Sequence, residues 1–291
     1  MANGSFVVLD DRAILAVSGP DRRDFLQGLV SNDIEKLAAG TAGYAALLTA
    51  QGKYLHDFIM MAAGEAIWLD AEAARLADLK RRLSLYRLRA KVVIDERPDL
   101  AVAAVIGDAA AALGLGDGLC FADPRLAALG ARAVLPAAAL RPALTAAGFA
   151  EADFAEYDRL RLALGIPDGS RDLVIEKSIL LEAGFDELHG VDWQKGCYVG
   201  QELTARTKYR GLIKRRLLPV RIDGPAPALG TLVTQDGREV GEMRSSRDGI
   251  GLALLRIEAA LSGRALSAEG ASLTPIQPSW LRLAAPEATP A

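Results

Sequence analysis

The sequence predicts an α+β protein that ends in a small antiparallel β-barrel or sandwich. Three observations carry this. The chain has 291 residues, 51% of them hydrophobic, enough to bury a large core in two domains or a three-lobed body. Up to residue 210, segments of strand period and helix period are interleaved. After Arg210-Gly211 the texture changes to short alternating runs separated by Asp-Gly and Gly-Pro turns. A boundary near residue 212 follows, with an α+β body of two interleaved lobes over 1–211 and a barrel over 212–291.

The elements follow in order. Residues 6–9 and 13–17 are short apolar runs and read as strands. Pro20 suits the first turn of a helix whose apolar face is Phe25, Leu26, Leu29 and Val30. Residues 44–48 and 54–61 read as a hairpin in which Gly52 supplies a positive φ. A strand at 67–69 precedes a helix over 71–85 that turns Leu76, Leu79 and Leu83 inward. Strands at 91–95 and 100–106 lead to an alanine-rich helix near 108–114 and a second αβ stretch to about 150. The helix at 154–164 is stopped by Gly165-Ile166-Pro167, and a further helix is expected over 198–207. Segments 217–222, 231–235, 238–243 and 251–256 are the barrel strands, and the tail after Leu283 is expected to fray.

Composition excludes several classes of function. No apolar run reaches the roughly 20 residues of a membrane span, since the best stretch, 100–120, is broken by Asp108 and Asp117. The first 16 residues carry adjacent aspartates and no basic head before an apolar run, so neither a signal nor a transit peptide is expected and a bacterial cytoplasmic home is the default. Two cysteines, Cys120 and Cys197, build no disulfide framework, and two histidines, His56 and His189, give little for a triad or metal cage. Chemistry is left to carboxylates, a thiol or a bound cofactor.

The net charge of −3 is unevenly spread. Residues 75–91 carry seven basic side chains against Asp78, and 195–216 carry seven against Glu202. Each stretch is +6, leaving −15 for the remainder. They are either solvated faces or parts of an anion-facing surface.

Lys195-Gly196-Cys197-Tyr198-Val199-Gly200-Gln201-Glu202 is the most informative segment. A thiol between two glycines, two residues from a lysine and just before a helix, has the setting that favours thiolate. Cys197 is therefore a candidate reactive thiol or metal ligand, the alternative being a small buried hydrophobe. Cys120, between Leu119 and Phe121, reads as that hydrophobe. Gln201 and Glu202 are able to read a heterocycle edge or simply to cap the helix, and Glu182 and Asp186 to line a pocket or cap a loop.

This segment resembles the K-G-C-Y-x-G-Q-E signature of the folate-binding YgfZ-type proteins, which serve iron–sulfur cluster assembly and share a superfamily with the glycine-cleavage T-protein, an aminomethyltransferase. Similar patterns run along most of the chain: Gly19 with Asp21-Arg22, Phe25-Leu26-Gln27-Gly28, Ser31-Asn32-Asp33-Ile34, 44–48, Gln51-Gly52-Lys53, 86–93, Gly165-Ile166-Pro167, 181–184, Val240-Gly241 and Arg244-Ser245. The resemblance implies a T-protein-like three-domain ring around a central channel for tetrahydrofolate, with one glutamate or several on its tail. It implies that activity rests on Cys197 with Lys195, and that Asn32, Tyr44, Asp57, Tyr157, Glu182, Gln201, Glu202 and Arg206 bind the cofactor. It also implies partnership with A-type iron–sulfur carriers and [4Fe–4S] client enzymes. Cys197 would then be a transient ligand, and because such clusters take about four cysteines, a partner or a second copy must supply the others.

There are departures from the family. Aminomethyltransferases have adjacent acidic residues where this chain has His56-Asp57, leaving only Asp57 to handle an amine nitrogen. Some relatives have tryptophans where this chain has Arg12 and Tyr157-Asp158. The expected function is assembly or repair of iron–sulfur proteins, more an assembly factor than an enzyme. The alternatives are a folate-dependent one-carbon transferase using Asp57 and a factor associated with tRNA modification whose basic stretches grip phosphates.

Overall fold

The computed structural model describes residues 4–107, 113–115, 118–211 and 213–283. The helix expected near 108–114 falls outside the described residues except at its last two positions, and so does the tail after Leu283. The chain divides into two compact units. One comprises Met1–Gln51, Leu55–Tyr157 and Leu188–Gln201, the other Gly52–Tyr54, Asp158–Glu187 and Glu202–Ala291. The unit that holds the barrel therefore takes in 158–187 and 202–211, upstream of the boundary expected near 212.

In the first unit the chain runs β1 (Ser5–Val8), β2 (Arg12–Ser18), α1 (Arg22–Gln27), β3 (Ala42–Leu48), β4 (Tyr54–Ala63), β5 (Ala66–Glu72), α2 (Leu76–Tyr86), β6 (Val93–Glu96), β7 (Leu100–Ile106), β8 (Leu119–Ala122), β9 (Ala131–Pro136), α3 (Ala137–Ala146) and β10 (Ala150–Glu151), then enters α4 (Phe154–Leu164). Two five-stranded sheets form, ordered β10-β1-β7-β9-β8 and β3-β4-β5-β2-β6. Near-continuous apolar runs at 44–48 and 54–61 are buried at every position, the pattern of strands covered on both faces. Gly52, at φ 79°, makes the turn between them as expected.

The bounds of α1 and α2 differ from expectation. The helix expected over 71–85 begins at Leu76 because Ala71 and Glu72 continue β5, paired with Ala13 and Arg12 of β2, and a short 3-10 turn intervenes. Leu76, Leu79 and Leu83 are its buried face, as the periodicity predicts. Helix α1 is only six residues long, ending at Gln27. Leu29 and Val30 are buried beyond it, Val30 bridging to Leu47 of β3.

The second unit contains α5 (Gly169–Asp172), most of α6 (Gln201–Tyr209) and six strands: β11 (Arg215–Asp223), β12 (Leu232–Gln235), β13 (Arg238–Arg247), β14 (Ile250–Arg256), β15 (Leu266–Ala268) and β16 (Ala271–Pro275). A short helix, α7 (Ile257–Leu261), follows β14. The strands close a barrel in the order β11-β14-β13-β12-β15-β16. Asp236-Gly237 and Asp248-Gly249, all at positive φ between 49° and 79°, form the two-residue turns of its hairpins. The sequence reading found four of the strands. It missed β15 and β16, which are short and contain Ser267, Ser272 and Thr274 facing out.

A buried ionic cluster fastens α4 and α5 to β13 inside this unit. Arg161, fully buried, donates from Nε to Asp158 at 2.7 Å, from Nη1 to Asp172 at 2.6 Å and from Nη2 to the Ser245 hydroxyl at 2.8 Å. Asp158 also accepts from Arg247 at 2.6 Å. Burial works against ionisation of Asp158, but the surrounding guanidinium groups outweigh it and hold the carboxyl at about 2.

Candidate functional site

The signature loop is sewn onto the stretch after α1. Ser31 donates through Oγ to the Gly190 carbonyl at 2.6 Å and accepts the Ala46 amide at 2.8 Å. Asp192 donates its amide to the Ser31 carbonyl at 3.0 Å, pairs with Lys36, and accepts the amides of Gln194 and Lys195 at 2.7 and 2.9 Å. Val199 closes the far end with an amide bond to the Gly28 carbonyl at 3.1 Å.

Lys195 is the central brace. Its buried ammonium donates to three backbone carbonyls, those of Gln27 at 2.8 Å, Val30 at 2.6 Å and Asn32 at 2.8 Å, and lies 5.2 Å from the centre of the Tyr198 ring. Burial lowers its pKa to about 8, against the opposing pull of Asp33 and Asp192. The sequence reading set this charge beside the thiol; the structure commits all three of its protons to the loop's seat.

Between buried Lys195 and buried Tyr198, Cys197 is exposed. The expected helix starts at Gln201 rather than 198, Gly200 at φ 82° making the approach to it, so the thiol stands in the loop four residues ahead of the helix. Cys120, in β8, is half-buried, and burial raises its thiol to about 11, as befits a packing residue. Among the described residues no three His, Cys, Asp or Glu side chains are grouped to hold a metal ion.

A second polar constellation lies inside the same unit. Tyr44, buried, donates to Asp57 at 2.8 Å, and burial followed by the Asp57 charge raises the phenol well above its ordinary range. The Arg125 guanidinium lies 5.7 Å from the Tyr44 ring centre and grips Asp123 with two bonds of 2.9 and 2.7 Å. Arg125 and Arg132 both donate to the Tyr157 hydroxyl, at 3.0 and 2.9 Å. Arg132 also reaches Asp70 at 3.0 Å, and Arg12 donates to the other Asp70 oxygen at 2.7 Å. Burial would push Asp123 up, but the Arg125 and Arg132 charges prevail and hold it at about 2.

The expected ligand positions are thus dispersed. Tyr44, Asp57 and Tyr157 belong to this buried network. Asn32 spends its amide on the carbonyls of Tyr44 and His189, both at 2.7 Å, and its oxygen on the Asp33 amide at 2.8 Å. Gln201 is half-buried at the start of α6. In the second unit Glu202 and Arg206 pair with each other at 2.6 Å on an exposed helix face. Glu182 pairs with Arg215 at 3.2 Å and borders a hollow of about 10 Å³ with Asp172 and Arg244, room for about one water. Asp186 pairs with Lys208. His56 donates from Nε2 to the Asp78 carboxylate at 2.9 Å, and burial, then Arg75, lowers its pKa to about 4, so it is neutral at pH 7.

The sequence reading missed Asp70, Asp123, Arg125 and Arg132, and saw Arg12 only as a departure. The signal was there: a charge inside an apolar strand, as Asp70 in β5 or Arg132 in β9, needs a buried partner.

Comparison with known proteins places these features. Residues 214–283 match the family model described as CAF17, C-terminal beta-barrel domain. The chain is 35% identical to the human iron–sulfur cluster assembly factor IBA57, mitochondrial, over 94% of this chain and 84% of that protein. The mouse counterpart is 34% identical, over 95% and 85%. Among solved structures, the glycine cleavage system aminomethyltransferase T from Bartonella henselae superposes with a TM-score of 0.78, covering 96% of this chain and 86% of that one, at 17% identity. The fold is that of the T-protein, α+β with a closed antiparallel C-terminal barrel. The expectation of a bacterial cytoplasmic home is corrected here, because the human and mouse relatives are both named mitochondrial.

Proposed function

The chain belongs to the IBA57 family of iron–sulfur cluster assembly factors, and on that premise we propose that it supports [4Fe–4S] protein maturation through the Cys197 thiol, acting with A-type carriers and their client enzymes. The observation that supports this reading most is the combination of an exposed thiol with a rigidly seated loop: Lys195, Asp192 and Val199 fix the backbone on either side while Cys197 faces solvent. The cluster is cargo. One thiol offers one ligand, and a partner supplies the others. A braced loop lowers the ordering cost of forming a shared ligand set.

Tetrahydrofolate is proposed as the resident small molecule. The donor set of the first unit fits it: Asp57 is a buried carboxylate oriented by Tyr44 and suited to the N–H edge of a pterin, with Tyr157 fixed by Arg125 and Arg132 in the same network. The exposed Glu202–Arg206 pair offers no comparable burial. A one-carbon transfer reading would use the same Asp57 and has no separate observation in its favour.

The test is complementation. In cells lacking the protein, Cys197→Ser is expected to leave the protein folded and folate binding intact while abolishing recovery of [4Fe–4S] enzyme activity. Full recovery would remove the thiol's role. In folate titrations Asp57→Asn is expected to weaken binding at least about tenfold, roughly the loss of one charge-assisted hydrogen bond. Glu202→Ala should bind as wild type, and equal loss in both variants would refute the assignment.

A further inference from the structure

The first basic stretch does not behave as one group. Arg75 donates to the Leu55 carbonyl at 2.6 Å, and Arg81 and Arg82 clasp Asp78 at 2.6 and 2.8 Å. Beyond them, the side chains of Arg87, Arg89 and Lys91 are exposed and have no carboxylate partner among the described residues.

The same segment exposes its apolar side chains. Leu76, Leu79 and Leu83 face the core, but Leu85 at the end of α2 is 66% exposed, Tyr86 42% and Leu88 89%, with Val93 of β6 at 51%. Leu88 has a φ of 42°, a conformation that a γ-branched residue seldom adopts without cause. Main-chain bonds from Arg87 to Ser84 at 3.2 Å, Ala90 to Arg87 at 2.7 Å and Val92 to Ala90 at 2.9 Å hold these turns, so the loop is shaped by its backbone and its side chains are left outside. Gly19 packs beneath it so closely that a Cβ there would stand 2.2 Å from the Lys91 carbonyl.

We propose that the end of α2 and the turn into β6 form a docking surface for an acidic protein partner: one with an apolar hollow for Leu85, Tyr86 and Leu88, and a rim of carboxylates for Arg87, Arg89 and Lys91. Tyrosine and arginine are the residue types that anchor interface centres, and the two exposed leucines beside them add apolar area that a partner would bury. A nucleic acid gains little from exposed leucines, since its contacts are phosphate charge and base stacking. An anionic membrane is opposed by Asp95 and Glu96, which are exposed beside Val93 on β6. A protein rim accommodates both signs. This surface is separate from the Cys197 reading and does not rest on it.

The experiment uses the full chain and three probes: a synthetic amphipathic helical peptide with a leucine face flanked by glutamates, vesicles of phosphatidylglycerol and phosphatidylcholine, and single-stranded polyuridine. Fluorescence anisotropy is expected to show peptide binding that weakens at least about tenfold between roughly 0.05 and 0.5 M salt, where the Debye length falls below the spacing of the charges. The double variants Leu85→Ser/Leu88→Ser and Arg87→Glu/Arg89→Glu should each lose it by a similar factor with unaltered circular dichroism. If either double variant fails to fold, Leu88→Ser alone is the readout. Cys197→Ser is expected to bind the peptide as wild type, so failure of the thiol's role and failure of the docking surface are told apart. Absence of peptide binding, or variant-sensitive binding to vesicles or RNA instead, would overturn the proposal.

Discussion

Lys195 and Cys197 stand two residues apart in the signature loop yet differ in setting, the first buried against three carbonyls and the second facing solvent. Replacing Lys195 by Met removes three charge-assisted bonds and strands three carbonyls. A loss of about 3–5 kcal/mol in urea unfolding is expected, with proteolysis appearing first at 190–199. Lys195→Arg should recover only part of it, because a planar fork does not meet three carbonyls converging on one tetrahedral nitrogen. Recovery to wild-type stability with Arg would show that charge, not geometry, seats the loop. The exposed setting of Cys197 agrees with the candidate thiol that its flanking glycines and lysine suggest, whereas the direction of the ammonium was not legible. Two residues of spacing say that a charge is near a thiol, but the partners it chooses, Gln27, Val30 and Asn32, are over 160 residues away.

Elements show where local pattern sufficed and where it failed. Helix α4 ends where its Gly-Ile-Pro stop predicts and α2 buries the face its periodicity predicts, since a stop signal and a helical period are both local. The start of α2 was misread because Ala71 and Glu72 have helical propensity but gain more by pairing with β2. Beside α2, buried His56 gives the fold a pH dependence. Its folded pKa of about 4 lies below the ordinary 6.5, so the unfolded chain binds the extra proton between those values. Stability is fully present above pH 6.5 and is lost as the pH falls toward 4, by up to about 3 kcal/mol from this group. Urea midpoints measured from pH 7 to 4.5 should fall more steeply for the wild type than for His56→Gln; parallel curves would count against it. In α4, Arg161→Met leaves Asp158 and Asp172 buried with fewer partners and is expected to cost about 3–5 kcal/mol. Calorimetry would record it as a fall in the unfolding temperature.

For the molecule as a whole, the change of texture after residue 211 announced the barrel, but the compact unit around it recruits 158–187 and 202–211 as well. That recruitment is long-range: Arg161 bonds Ser245, Trp280 donates to the Leu164 carbonyl at 2.7 Å, and Gly165 fits against Pro219 and Pro278. A chain cut after residue 211 is therefore expected to lose hydrogen-exchange protection throughout 158–187; a loss confined to the residues next to the cut would be the contrary result. The buried charges of both units were the least legible feature, since beside near partners such as Asp123 for Arg125 and Asp158 for Arg161 they rest on distant ones, Asp70 on Arg132 and Arg161 on Ser245. The barrel is narrowest where β12 meets β15, Thr234 opposite Ser267 being the one paired position there among the described residues. Circular closure is what denies foreign strands a foothold. If the ring parts, it parts at that single rung, and a self-contained cylinder becomes an open ribbon with two sticky margins, the form from which chains exchange segments and precipitate.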